Sequence, residues 1–221
     1  MTNERARSVY VGDPDHKIAV ALNSTRIFES LFPSNDSYDI RLFNVARNID
    51  RIINEYYQTD QRSPQWSVLK GLRVLDIGSG SMNSASQFMI YYPQFARLCA
   101  MNGAKVTAID NVKQSSFDHT LFREIVTDVI PSVNEGRFSQ VTGLAGEEFD
   151  IINSRYFVGW NPDPHVYNRL HNSFKGLAAF ESALIEECGK ITAENGVVDL
   201  DFEDHYFRKL NGELIMQQRS R

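Results

Sequence analysis

Beyond residue 66, short apolar runs alternate with longer stretches whose apolar residues recur at helical spacing. This alternation predicts strand and helix units packed around a mostly parallel sheet. Five strands are predicted, at residues 73–77, 105–109, 138–142, 149–153 and 197–202. Three helices are predicted between them, at residues 84–101, 120–130 and 172–193.

The first third of the chain follows a different pattern. Apolar residues from Ile40 to Ile53 recur at roughly helical spacing, and the polar, proline-containing segment 61–65 then interrupts them. We therefore predict a helical N-terminal cap over residues 1–66 and a larger domain over residues 67–221.

Turn residues punctuate the larger domain. Asn102-Gly103 and Asn195-Gly196 stand where a helix should stop before a strand, and Asn211-Gly212 separates two apolar runs as a hairpin turn does. Residues 203–205 leave no room for a crossover helix after the fifth strand. The pattern predicts an α/β fold with a mostly parallel sheet, flanking helices and a C-terminal antiparallel hairpin.

Composition narrows the class of protein. The chain has 221 residues, enough for one sizeable core, and its net charge of −5 comes without a basic stripe, so nucleic acid is not a favoured partner. We see no apolar run long enough to span a bilayer, so no membrane partner is expected and the cytoplasm is the predicted location. Cys99 and Cys188 lack metal-ligand spacing, which predicts buried thiols and no metal site.

The candidate chemistry begins where the first predicted strand runs into Gly78-Ser79-Gly80. Small residues there let the backbone approach a ligand closely, as a nucleotide or nucleoside site requires. Asn83 occupies the position of the third glycine of a dinucleotide fingerprint, which disfavours a pyrophosphate. A glycine pair after a strand also occurs in ordinary tight turns.

Two acids strengthen the nucleoside interpretation. Asp76 lies at the end of the first strand, where a carboxylate needs a polar partner such as an ammonium group; the rival role is to cap a helix or stabilise the turn. Asp110 ends the second strand, where it could accept both ribose hydroxyl protons or be a solvated strand-end acid. With Asn111 beside it, the group suits an adenosine more than a phosphate.

Four segments in register resemble the class I S-adenosylmethionine-dependent methyltransferases. The segments are 72–80 (LRVLDIGSG), 102–110 (NGAKVTAID), 149–154 (FDIINS) and 195–200 (NGVVDL). The resemblance covers residues 67 to 202 and implies a Rossmann-like, doubly wound sheet. It also implies S-adenosyl-L-methionine as the cofactor.

The resemblance also implies site residues. The loop Gly78, Ser79, Gly80 and Ser81 would lie against the methionine part of the cofactor, Asp76 near its amino group, and Asp110 at its ribose. Asn111 and Ser154 complete the cofactor-binding set.

The sequence departs from the family pattern in three places. The separation of Gly78 from Asp110 calls for an extended or doubled helix, with Pro93 starting its second part. The supposed third-strand segment 141–146 lacks the acid that the family commonly places near the adenine. The missing crossover helix implies an altered sheet edge.

The loop after the fourth strand supplies the candidate catalytic residues Arg155, Tyr156 and His165. A tyrosine or histidine there could act as a base and the arginine could recognise an acidic substrate, but each could equally be a surface or turn residue. The methyl acceptor is expected to be a small molecule, and the sequence indicates no oligomeric state. A catalytically silent binding or scaffold protein and, less favoured, an NAD-dependent oxidoreductase stay open.

Overall fold

The computed structural model describes residues 38–61, 64–79, 93–111, 120–154, 177–200, 202 and 204–219. The helices are α1 (Tyr38–Tyr57), α2 (Gln94–Met101), α3 (Val129–Asn134), the short α4 (Phe138–Val141) and α5 (Leu177–Ile191), with a 3-10 turn at Trp66–Leu69. The strands are β1 (Arg73–Ile77), β2 (Lys105–Asp110), β3 (Arg123–Val126), β4 (Phe149–Asn153), β5 (Thr192–Asp199), β6 (His205–Leu210) and β7 (Glu213–Gln218).

The strands form one sheet in the order β3-β2-β1-β4-β5-β6-β7. Neighbours from β3 to β5 pair in parallel, and β6 and β7 pair antiparallel. This confirms the mostly parallel sheet, the C-terminal hairpin and the altered far edge. Because the chain moves from β1 outward to β3 and then resumes at β4 on the other side, the carboxyl ends of β1 and β4 meet where the strand order reverses. Ligands bind at such a point in open α/β sheets.

Alternate residues of β1 belong to two different cores. Val74 is buried with α1 and α2 on one face, and Leu75 is buried with α3 and α5 on the other. Neighbouring strand residues point to opposite faces of a sheet, so a strand covered on both faces must be apolar throughout. Asp76 is therefore an exception within an apolar strand.

Helix α1 presents an apolar stripe to the sheet. Val45, Ile49 and Ile52 are buried against the core that contains Val74, and the helix packs on β4, β5 and α2. Its hydrophobic face follows the helical period, so the predicted helix at residues 40–53 is confirmed and extended. The division of the chain at residue 66 stays a prediction.

The prediction for the third strand was wrong. Residues 123–126 form β3 inside the predicted helix, and α3 begins only at Val129, with Pro131 in its first turn, where a proline is tolerated. Residues 138–142, predicted as a strand, form α4 and its C-terminal cap. Phe138 and Thr142 are buried there while Gln140 is exposed, a helical rather than an alternating pattern.

Asn195-Gly196, predicted to mark the end of a helix, lies inside a strand. Strand β5 begins at Thr192, directly after α5, and its register against β4 shifts between Phe149 and Ile151. Asn195 has a φ of +65° within this irregular part of the strand. The dipeptide therefore marks a bulge inside β5 rather than the end of a helix.

Replacing Gly196 by alanine is expected to lower the free energy of unfolding by about 1 to 3 kcal/mol. A β-carbon at this position would lie 2.8 Å from Thr192 Cγ2 and 2.9 Å from the Ala193 carbonyl oxygen, so strand backbone would have to move. Urea unfolding measures the loss. Gly189→Ala is the control, because Gly189 lies in α5 and the added carbon would be at an ordinary contact distance of 3.4 Å from the Leu214 side chain. A similar loss of stability in both variants would contradict the bulge explanation.

Two further expectations concern the cysteines and the membrane. Cys99 and Cys188 are free and buried, as predicted, and burial raises the pKa of both thiols. Of the helices in the described residues, none combines the length and the apolar character that crossing a bilayer requires.

Candidate functional site

The predicted glycine loop begins at the carboxyl end of β1. Gly78 has a φ of +71°, a conformation that favours glycine, and its N–H donates to the Ile109 carbonyl oxygen at 2.8 Å. The Ser79 N–H donates to the same oxygen at 3.2 Å. Both N–H groups are thus used by the end of β2, which leaves them unavailable to a phosphate and brings the loop beside Asp110.

Asp76 and Asp110 lie on the same face of the sheet. Asp76 pairs with Ala108 in the register of β1 and β2, and Asp110 follows two residues later. Asp76 is 3% exposed, whereas Asp110 is half-buried and Asn111 is exposed. The two carboxyl groups therefore differ in exposure: that of Asp76 lies inside the protein and that of Asp110 lies at its surface.

The environment of Asp76 favours its neutral form. Burial raises the pKa of this carboxyl from 3.8 to about 7; a hydrogen bond from Asn153 lowers it, the charge of Asp110 raises it, and the backbone N–H of Ala96 lowers it. Asn153 Nδ2 donates to Asp76 Oδ1 at 2.7 Å. The Ala96 contact lies in the first turn of α2, so the helix-capping role considered from the sequence has a contact in its favour.

The end of β4 lies beside this pair. Asn153 is the register partner of Asp76, and it is followed by Ser154, which is fully buried. The Ser154 N–H donates to the Asp199 carbonyl oxygen at 2.9 Å, whereas its Oγ has no hydrogen-bond partner in the described part of the chain. A buried hydroxyl left this way can serve a ligand.

Sequence reasoning missed a buried polar network behind Asp76. Asn48 Nδ2 donates to Asn153 Oδ1 at 3.0 Å, and Arg51 Nη2 donates to Asn48 Oδ1 and, at 2.7 Å, to Asp199 Oδ2. Arg219 pairs with both Asp199 and Glu55. The network links the ends of three strands to α1.

Two signals in the sequence could have revealed the network. Asn48 and Glu55 interrupt the apolar stripe of α1 at helical spacing, and Asp199 ends an apolar strand as Asp76 does. Polar residues on a core-facing stripe need polar partners. What the sequence could not supply was their pairing across the fold.

Several predicted site residues lie outside the described residues. Among the cofactor-binding set these are Gly80 and Ser81, and among the catalytic candidates they are Arg155, Tyr156 and His165. The structure does bring together Asp76, Gly78, Ser79 and Asp110, with Asn111 directly after β2 and Ser154 directly after β4. Their roles stay predictions.

Asp128 lies just after β3, the strand that forms where a helix was predicted. The Thr127 N–H donates to the Asp110 carbonyl oxygen at 2.9 Å, and Asp128 follows as the N-cap of α3. The segment 141–146, judged to lack an acid, does not follow a third strand at all. One of the three departures from the family pattern therefore rested on a misplaced strand.

The chemistry open to this edge of the sheet follows from its charge. Two neighbouring carboxyl groups of unequal exposure repel each other, and a cationic ligand between or beside them would relieve that repulsion. A half-exposed carboxylate at a strand end can also accept two hydroxyl protons of a vicinal diol. Within the described residues no cluster of metal-ligating side chains is present.

Neither a protein-family model nor a curated protein sequence matches the chain. Among solved structures, it is similar to the MycE methyltransferase from the mycinamycin biosynthetic pathway in complex with Mg and SAH, with a TM-score of 0.38 and 13% identity over 68% of this chain and 35% of that one. For MycE in complex with Mg, SAH and mycinamycin VI, the TM-score is 0.38 and the identity is 12%, over 76% of this chain and 47% of that one.

The chain is also similar to the epimerase Mth375 from the methanogen Methanothermobacter thermautotrophicus. The TM-score is 0.35 and the identity 13%, over 58% of this chain and 35% of the epimerase. The chain spans less than half the length of each of these structures. Likeness at these scores assigns neither a family nor an activity.

Proposed function

We propose that this protein is an S-adenosylmethionine-dependent methyltransferase with a Rossmann-like, doubly wound sheet, acting on a small-molecule acceptor. One observation carries the proposal: Asp76 and Asp110 lie on one face of the sheet, beside the Gly78 turn, where the strand order reverses. The four sequence segments that resemble the methyltransferase family support it.

The residues present fit this cofactor better than they fit a dinucleotide. S-adenosylmethionine carries an ammonium group and a sulfonium but no phosphate, which suits an edge with two carboxyl groups. The N–H groups of Gly78 and Ser79, which a pyrophosphate would need, already donate to Ile109. The same contacts count against the NAD-dependent alternative.

The assignment of roles follows from exposure. Asp76, inside the protein, would accept the ammonium group, because a carboxylate can accept about four hydrogen bonds and its described donors are two. Asp110, half-exposed, would hold the ribose hydroxyls, with Asp128 near the adenine. Gly78 and Ser79 would support the methionine part, and Ser154, whose Oγ has no hydrogen-bond partner in the described part of the chain, would be a further donor or acceptor near the end of β4.

When bound, S-adenosylmethionine supplies an electrophilic methyl group on its sulfur. The protein then has to orient the cofactor and exclude water, and a base is needed only for acceptors that lose a proton. Arg155, Tyr156 and His165 keep their candidate roles toward the acceptor.

Calorimetric titration of the full chain with S-adenosylmethionine, and separately with NADH, tests the proposal. Binding of S-adenosylmethionine alone is expected. Binding of neither ligand would favour the catalytically silent scaffold, and binding of NADH alone would favour the oxidoreductase.

Replacing Asp110 by alanine is expected to weaken S-adenosylmethionine binding by about 1 to 3 kcal/mol, the cost of losing charge-assisted hydrogen bonds. The dissociation constant from calorimetry measures it. Asp150→Ala is the matched control, because Asp150 lies at the opposite edge of the sheet, where it accepts from the Arg73 N–H. Equal affinities of the Asp110 and Asp150 variants would contradict the ribose role.

A further inference from the structure

The hydrogen bonds behind Asp76 run in one direction. A guanidinium can only donate, so Arg51 Nη2 must meet an oxygen of Asn48. The Asn48 amide then presents its Nδ2 to Asn153 Oδ1 at 3.0 Å. Asn153 in turn presents its own Nδ2 to Asp76 Oδ1 at 2.7 Å.

The orientation of each amide is therefore fixed by the group before it. Asn48 and Asn153 are 3% and 1% exposed, so water does not offer an alternative partner to amides that turn over. Arg51 is held in place by Asp199, to which the same Nη2 donates at 2.7 Å. The last group of the chain, Asp76, is left with only one way to satisfy Asn153, which is to accept.

We infer that Arg51, Asn48 and Asn153 form a directional hydrogen-bond relay that holds Asp76 as an acceptor, ready for the cationic group of its ligand. Asn48 and Asn153 are positioning residues in this arrangement and Asp76 is the group that touches the ligand. The identity of the ligand rests on the proposed function, whereas the hydrogen-bond relay rests only on the contacts between these four side chains.

The relay opposes the other influences on Asp76. Asp110 from β2 and burial favour the protonated acid, and the nearby Cys99 thiol of α2 brings no positive charge. The Ala96 N–H of α2 and the Asn153 amide favour the carboxylate. Since α1 supplies Arg51 and Asn48, the helix that precedes the sheet decides whether the acid at the end of β1 can accept.

Asn48→Asp tests the direction of the relay. An aspartate at position 48 can still accept from Arg51 but cannot donate to Asn153, so the Asn153 amide turns its Nδ2 toward position 48 and its oxygen toward Asp76. Asp76 must then carry a proton to satisfy that oxygen. The pKa of Asp76, followed by carboxyl ¹³C NMR in the ligand-free protein, is expected to rise by about one pH unit or more.

Asn54→Asp is the matched control, because it adds the same charge to the same helix at a residue whose amide contacts Thr59 and Gln61. It is expected to leave the Asp76 titration unchanged. Asn48→Leu, which removes the link without adding charge, is expected to raise the pKa by less. An Asp76 midpoint that is the same in the two aspartate variants would overturn the relay.

Binding provides the second readout. At pH 7 the Asn48→Asp variant is expected to bind S-adenosylmethionine about fivefold more weakly than the Asn54→Asp variant, because a rise of one pH unit from a pKa of about 7 lowers the ionised fraction of Asp76 by about that factor. The difference should shrink at pH 9. If the NMR shift appears but the wild-type protein does not bind S-adenosylmethionine, the proposed function fails and the relay stands. If the wild-type protein binds and the NMR shift is missing, the relay alone fails.

Discussion

Replacing Arg219 by methionine is expected to lower the free energy of unfolding by about 3 to 5 kcal/mol at pH 8. Arg219 Nε lies 2.7 Å from Glu55 Oε1 and its Nη2 lies 3.0 Å from Asp199 Oδ1. The exposed fractions of these three side chains are 11%, 7% and 0%, so loss of Arg219 leaves two carboxylates that water cannot reach. Within the described residues they then share the single cation Arg51, which is 2.7 Å from Asp199 but 3.8 Å from Glu55. Methionine keeps much of the apolar stem, which isolates the effect of the charge.

The loss should depend on pH in a defined direction. Burial raises the pKa of Glu55 to about 7, the charge of Asp199 raises it and that of Arg219 lowers it, so removing Arg219 raises it further. A raised carboxyl pKa gives a stability that is complete below the ordinary value of 4.5 and is lost as the pH rises through the folded value. The variant should therefore lie closer to the wild type at pH 5 than at pH 8.

Urea unfolding at the two pH values measures this prediction. Arg137→Met is the control, because Arg137 pairs with Glu135 at the surface and such pairs contribute at most about 1 kcal/mol. Adding Glu55→Gln to Arg219→Met should recover part of the loss at pH 8. No recovery, or an equal loss in Arg137→Met, would show that Arg219 does not act through buried charge.

The elements that the sequence predicted well carry local signals. β1, β2 and β4 are apolar runs bounded by turn residues, and the hairpin of β6 and β7 follows from Asn211-Gly212, whose φ angles of +54° and +83° suit those residues. Each of these signals lies within about ten residues of the element it defines. Tertiary contacts reinforce such segments but are not needed to recognise them.

The region between β2 and β4 was less predictable because its apolar residues fit two periods. Ile125, Val126, Val129 and Ile130 fit a helix as well as a strand, and only the position of Pro131 and the Asp128 cap separate β3 from α3. Short apolar runs do not decide between the two structures by periodicity alone. The wrong choice misplaced the third strand and left Asp128, the N-cap of α3, inside a predicted helix.

The residues of the candidate site also fall into those that local sequence signals predicted and those that they did not. Asp76, Gly78 and Asp110 were predicted because each ends or follows a strand, and the parallel register then brings them together. Asn48 could not be predicted as their neighbour, since 105 residues separate it from Asn153, and 164 residues separate Glu55 from Arg219. Such pairings depend on the packing of α1 over the sheet, which no local pattern encodes.

Asp76→Asn is expected to make the ligand-free protein more stable at pH 8, by about 1 to 3 kcal/mol, and to weaken S-adenosylmethionine binding at the same time. Burial holds the pKa of Asp76 at about 7, above its ordinary 3.8, so its contribution to stability is complete below 3.8 and is lost as the pH rises through 7. Above that pH the folded protein retains an ionised carboxyl group that is 3% exposed. An asparagine is neutral and its oxygen can still accept from Asn153.

Urea unfolding at pH 5 and pH 8 measures the stability, and calorimetry the binding. The gain should be clearly larger at pH 8 than at pH 5, because the stability that the wild type loses between pH 3.8 and 7 is only partly lost at pH 5. Asp110→Asn should show little gain since Asp110 is half-buried. A variant that is less stable than the wild type at both pH values would mean that the carboxylate stabilises the fold through its helix contact. A gain at pH 8 together with lost binding would instead mean that the protein keeps a destabilising charge at the end of β1 because a cationic ligand needs it.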